Sequence, residues 1–275
     1  AMRSLADGSR NYSVSANLLD FIFMKSVLQQ GPRAKRSSSS YGLIGWDDTP
    51  RSSGIYYGDD NARALLGAMA VSGIMKSGKW DEPIVKAILG NFRTSGVYGF
   101  RHRELEERLL VMQNWKYFFN EQHTDYAPHF QSWIWACYLY LYSQTHYEPL
   151  LERSRTGIRM MMAAYPDNWH WTNGLQQERA RILLPLAWLI RVDDTPEHRA
   201  WLKRISDDLL SYQDATGAIR EEIGAAGKGD YGPPRSNEAY GTSEAPLIQE
   251  NGDPLSDLLY TTNFAFIGLH EAARA

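Results

Sequence analysis

Four stretches of this chain lose helical periodicity and concentrate carboxylates, histidines and tryptophans instead. Residues 42–60 hold Trp46, Asp47, Asp48, Tyr56, Tyr57, Asp59 and Asp60, with Arg63 just inside the next helix. Two acidic pairs in one loop suit chemistry in which one carboxyl gives a proton and another activates water or attacks carbon. Asp48 and Asp60 are the candidates there. Asp60 also has a plainer use, because a carboxylate at a helix start is stabilised by free backbone N–H groups and the helix dipole. A second DDTP at 193–196, where capping suffices, shows that this tetrapeptide is not itself a catalytic motif.

Residues 122–129 supply His123, Asp125, Tyr126 and His129. A zinc site needs three ligands in fixed geometry. Two histidines six apart and one aspartate fall short of that, so neither metal nor organic cofactor is expected, and His123 reads as a hydrogen-bonding group. Residues 166–176 contain DNWHWTNG, in which Trp169 and Trp171 flank His170, with Asn168 and Asn173 alongside. Aromatic faces beside amides suit the apolar C–H face and the hydroxyls of a sugar ring. Either tryptophan could equally plug the core at a helix start. Glu178 and Arg179 follow in the next helical turn, as a local ion pair or as groups reaching a cleft.

The fourth stretch, 217–256, is far longer than the ~12–15 residues usual for a structureless loop in a compact domain. Its tyrosines, Asn237 and the apolar 246–248 argue against a solvated tail. It carries Glu221, Glu222, Arg235, Asn237, Glu238, Tyr240, Glu244 and Glu250. Glu238 is the first choice for a second catalytic carboxylate and Glu244 the next. Arg63, Arg101, Arg235 or His102 near a cleft would favour an acidic sugar, since arginine binds carboxylates bidentately.

The elements that must position these residues are helical. Apolar spacing predicts helices over 14–30, 61–77, 82–92, 104–120, 130–143, 148–164, 177–191, 196–212 and 256–273. Asp194 or Thr195 caps the helix that opens with Pro196, and Pro185 should kink its own helix or remove one bond. No alternating strand pattern is evident, so the fold class is all-α. A more apolar helix is repeatedly followed by an amphipathic one after a short turn, in pairs beginning near 61, 130 and 177. Repeated antiparallel pairs form an α/α solenoid or a closed toroid. Residues 1–42, an N-terminal helix and a Ser/Arg-rich loop, belong to the same domain as the toroid at 43–275.

Paired helices, GWDDTP and YYGDDNAR ahead of a helix at 61, and Trp/His-rich loops together resemble the six-hairpin (α/α)6-barrel glycosidases. The resemblance covers roughly 43–275 and is architectural. That superfamily has twelve helices in six hairpins. About nine are read here and the last has no partner, which describes an incomplete or truncated toroid. The resemblance implies that the loops before 61, 130, 177 and 256 share one end, where a sugar cleft opens. It implies a glycoside hydrolase acting on a polysaccharide-derived oligosaccharide, possibly uronate-containing, through Asp48 or Asp60 and Glu238 or Glu244. Trp46, Tyr57, Arg63, His123, Trp169, His170, Trp171, Arg235, Asn237 and Tyr240 would bind substrate. The same scaffold serves polysaccharide lyases and terpenoid cyclases. A lyase would use Tyr240 or His170 as base or acid, with Arg235 or Asn237 neutralising charge. A non-catalytic carbohydrate-binding module is the reading from another class.

Composition narrows the rest. Twenty-nine basic and 32 acidic residues give a net charge of −3, which offers no electrostatic case for nucleic acid. Cys137 is the only cysteine, which excludes an internal disulfide and a cysteine-built zinc site. No stretch approaches the ~18–20 apolar residues of a membrane span. The N-terminal AMRSLADGSRNYS lacks the apolar core of a signal peptide, and Ala1 before Met2 reads as a processed end. A periplasmic or secreted location is expected if a signal peptide was removed.

Overall fold

The computed structural model describes residues 12–239, 242 and 244–275. It is mostly helical. The α-helices among these residues are α1 (Ser13–Asp20), α2 (Gly58–Met75), α3 (Asp81–Arg93), α4 (Glu107–Gln113), α5 (Trp115–Asn120), α6 (Pro128–Thr145), α7 (Glu148–Ala164), α8 (Leu175–Val192), α9 (Pro196–Leu210) and α10 (Thr261–Ala272). Two short strands, β1 (Ile55–Tyr57) and β2 (Glu104–Glu106), pair antiparallel beside the helices. No described helix is long and apolar enough to cross a membrane. The chain divides into two compact units, 1–125 with 145–150, and 126–144 with 151–275.

In the first unit the helix expected over 104–120 is broken twice. Residues 104–106 join β1, and Asn114, at φ 66°, separates α4 from α5 while its side chain accepts from Lys116 N at 3.1 Å. Asparagine tolerates the left-handed region because its short amide bonds locally. The helix expected over 14–30 also stops early. After α1 the chain passes through a π turn at Phe21–Lys25 and ends at Ser26, whose extended backbone lets its hydroxyl accept from Leu28 N at 3.0 Å. Asn61 fixes the long loop before α2 by pairing with both the N–H and the carbonyl of Ile44, at 2.9 and 2.8 Å. Leu43, Tyr56, Leu105, Leu110 and Phe118 make the buried cluster beneath the strand pair.

In the second unit, α6 and α8 are buried on nearly every side. Pro185 is carried within α8, which runs unbroken from Leu175 to Val192. Close packing joins α6 to α7: a Cβ on Gly157 would lie 2.6 Å from the Trp135 ring, so only glycine allows that approach. Along α8 and toward α10, Gln177 meets Asp257, the Arg181 guanidinium lies 4.4 Å from the Phe264 ring centre, and Arg191 reaches Glu271 at 2.7 Å. Partner numbers rise together, so α8 and α10 run parallel. The same holds for α6, with His129 beside Glu178 and Trp133 beside Arg181. Thr195 caps α9 by accepting from His198 N at 3.1 Å. The last helix starts at Thr261 rather than 256, because Asp257 accepts from Leu259 N and Tyr260 N in a turn that precedes it.

Candidate functional site

The parallel run of α6, α8 and α10 places their N-termini at one end of the second unit. Glu178, in the first turn of α8, is completely buried there. Its Oε1 faces Thr172 N–H at 3.5 Å and His129 Nδ1 at 3.9 Å. Its Oε2 has no hydrogen-bond partner among the described residues. Burial pushes its pKa up to about 8, against the pull of Arg181 and with a further upward push from Glu221. At neutral pH this carboxyl therefore carries its proton.

Glu221 is a second buried carboxyl, used differently. It accepts from Gln176 N at 2.8 Å and Glu222 N at 2.9 Å, and from the Thr261 hydroxyl. It thus satisfies an orphan N–H of α8 from outside the helix and ties the start of α10 to it. Burial raises its pKa to about 7, with these hydrogen bonds opposing. Leu175 N donates to Glu222 O, Trp171 N to Lys228 O and Asp230 N to Trp171 O. Residues 221–230 are therefore a strap over 171–176. A Cβ on Gly174 would come within 2.4 Å of the Glu221 carboxyl, so the strap sits close against a position only glycine fills.

The aromatic pair expected to meet a sugar lies inside. Trp169 is fully buried, its Nε1 donating to Met161 O at 2.8 Å and its ring set against Tyr165. Trp171 is covered by the strap. His170 is half-buried, its backbone N–H bonded to Tyr126 O. Arg235, Asn237 and Glu238 are exposed around a short 3-10 turn, Asn237–Ala239. The Ser236 hydroxyl holds the Glu238 carboxyl below its usual range, so it is ionised at neutral pH and is no proton donor. Glu244, also exposed, receives Asn173 Nδ2 at 3.5 Å, which links it to the segment leading into Glu178. Tyr240 lies outside the described residues.

The remaining candidates belong to the first unit. Asp48 is exposed, while its neighbour Asp47 accepts from Thr49 N and Oγ1 in a surface turn. Because α2 begins at Gly58, Asp60 lies within its first turn and does not cap it. Asp59 at 2.8 Å and Asp60 both pair with Arg63. Trp46 meets the edge of Tyr57 at 5.6 Å. His123 stacks on His102 at 4.0 Å, and His102 Nε2 contacts Glu121 at 2.7 Å. Burial, with His102 beside it, keeps the His123 pKa low. Asp125 receives a two-point contact from Arg103, and Arg101 is buried against Tyr56 O and Thr94. Among the described residues no group of three His, Cys, Asp or Glu is placed to hold a metal.

Sequence reasoning leaves Glu178 among several options. The signal that singles it out is an acid three residues ahead of RILLPLAWLI, in a helix apolar enough to be buried on several sides.

Comparison with known proteins gave no match to any family model, to curated sequences or to solved structures.

Proposed function

We propose that this chain acts on polysaccharide-derived oligosaccharides as a glycoside hydrolase, with its chemistry in the second unit. The hairpins α6–α7 and α8–α9, followed by α10, would then be part of an α/α toroid. The observation that carries the reading is Glu178, a buried carboxyl that keeps its proton at neutral pH and has one oxygen unpartnered. General acid catalysis asks for such a group.

In the proposed reaction Glu178 protonates the glycosidic oxygen as its bond to the anomeric carbon breaks. Water supplies hydroxide to that carbon and gives its other proton to a carboxylate. Glu244 is the base chosen here, because Asn173 connects it to the Glu178 segment. The strap at 221–230 must lift to admit substrate, since Glu178 is closed to solvent. Arg235 is exposed and has no ion pair among the described residues, which supports a uronate-containing substrate.

The test is a screen of the purified chain and Glu178→Gln against neutral and uronate-containing oligosaccharides, reading reducing ends and ultraviolet absorbance. New reducing ends without absorbance, lost in Glu178→Gln, support hydrolysis. Absorbing, unsaturated products would replace it with a lyase. Absence of both signals would overturn the catalytic reading.

A further inference from the structure

We propose that Trp46 and Tyr57 form a separate carbohydrate-binding surface on the first unit, taking one pyranose ring of a polysaccharide chain. The choice of ligand rests on the carbohydrate reading above, but the surface stands on its own geometry. Of the nine tryptophans, Trp46 alone is exposed, at 52%. From residue 28 to 73 it is the one large hydrophobic left open among the described residues. Covering the open part of such a ring is favourable, and a ligand stacked on it would do so.

The ring is presented by a rigid support. Trp46 N donates to Ile55 O at 2.9 Å, and Gly45 N to Leu28 O at 2.8 Å. The preceding Ile44 is clamped on both sides by the Asn61 amide. A group held this way gives up little conformational freedom on binding. Tyr57 stands at 73° to the indole and makes the second wall of a corner. It lies in β1, whose backbone is tied to β2, so this wall is also fixed.

The chemistry around the corner selects the ligand. Residues 47–51 read DDTPR, and Asp60 pairs with Arg63 in the first turn beyond Tyr57. An exposed indole with a second ring at its side, followed in sequence by the exposed Asp48, suits the C–H face and hydroxyl rim of a pyranose. One isolated indole is too little apolar area for a stable protein interface, which needs ~800 Å² per partner. The acidic border disfavours stacking nucleic-acid bases, whose phosphates require a basic groove.

The experiment is affinity electrophoresis of the full chain in gels containing a neutral glucan, a xylan or polygalacturonate, with Trp46→Ala and Trp46→Phe run alongside. At least one polysaccharide should retard the wild type. Trp46→Ala should weaken that binding at least tenfold and Trp46→Phe less. Equal retardation of wild type and Trp46→Ala, with circular dichroism showing both folded, overturns the proposal. So does failure of every polysaccharide to retard the wild type. Binding that depends on Trp46 without any turnover would sink the catalytic reading and leave this one standing. Turnover with a neutral Trp46→Ala would do the reverse.

Discussion

The candidate acids of the two units are held in different ways. In the first, Asp59 and Asp60 share Arg63, Asp125 holds Arg103, and Asp47 closes a turn on Thr49. Each of these carboxylates has an ordinary structural partner, and the exposed aromatic corner of Trp46 and Tyr57 is left as the feature facing outward. In the second, Glu178 and Glu221 are buried at helix N-termini, and burial raises both. Glu221 uses both its oxygens on backbone and hydroxyl donors, whereas Glu178 keeps one oxygen without a partner. A carboxyl tied by several donors is a fastening. A buried carboxyl with a proton and a vacant lone pair is a reagent, or a cost the fold bears for some other end.

The sharpest test of this contrast is exchange of each acid for its amide. Glu178→Gln should lower turnover about 10²–10⁴-fold, the usual contribution of a general acid, while Asp60→Asn should change it only a few-fold. Equal losses at both positions would erase the distinction between the units.

The next effect is on stability. Gly174→Ala places a methyl against the Glu221 carboxyl and should cost about 1–3 kcal/mol, in line with overpacking. Urea unfolding measures the loss, and limited proteolysis should show earlier cutting within 221–230. Unchanged cutting would mean that Glu221 is not what holds the strap.

A smaller effect is the pH dependence of folding. An unfolded glutamate titrates near its ordinary value, while folded Glu178 titrates near 8. Between those limits the folded state binds the extra proton, so stability falls as pH rises through this window and levels off above about 8. Glu178→Gln is neutral throughout and should remove Glu178's share of that slope, leaving the smaller share of Glu221, whose pKa is raised to about 7. Thermal melts at pH 5 and pH 9 check it: the variant should match the wild type at the lower pH and exceed it at the higher. A wild-type slope retained in the variant would assign the titration to Glu221.

Smallest of all should be loss of the Asp60–Arg63 pair. Arg63 is about one-third exposed, and Asp60→Ala should cost at most about 0.5–1 kcal/mol by chemical denaturation. A larger loss would mean that the first unit also depends on its acids for folding.

Much of the helical framework is legible in sequence. The helix at 148–164 is read at its observed limits, and Thr195 appears as a cap before Pro196, because helical period and capping act over a few residues. The segment 104–120 is misread as one helix. Its apolar spacing continues across Asn114, but pairing with β1, about fifty residues earlier, claims 104–106. The DNWHWTNG loop offers a sugar platform to a reader of residue types, yet Trp169 goes into the core because Met161 supplies its indole with a buried acceptor.

The sequence by itself therefore determined that the chain is helical, that its unusual residues gather between helices, and that it carries no disulfide. These are local or compositional properties. Which carboxyl keeps a proton and which tryptophan meets solvent were decided only by the tertiary structure. A pKa depends on how much water and charge surround the group, and part of those surroundings comes from His129 on α6 and Glu221 on the strap, each more than forty residues from Glu178 along the chain. Exposure depends likewise on what covers a ring. Lys228 and Asp230 bond over the backbone of Trp171, while nothing comparable among the described residues closes over Trp46.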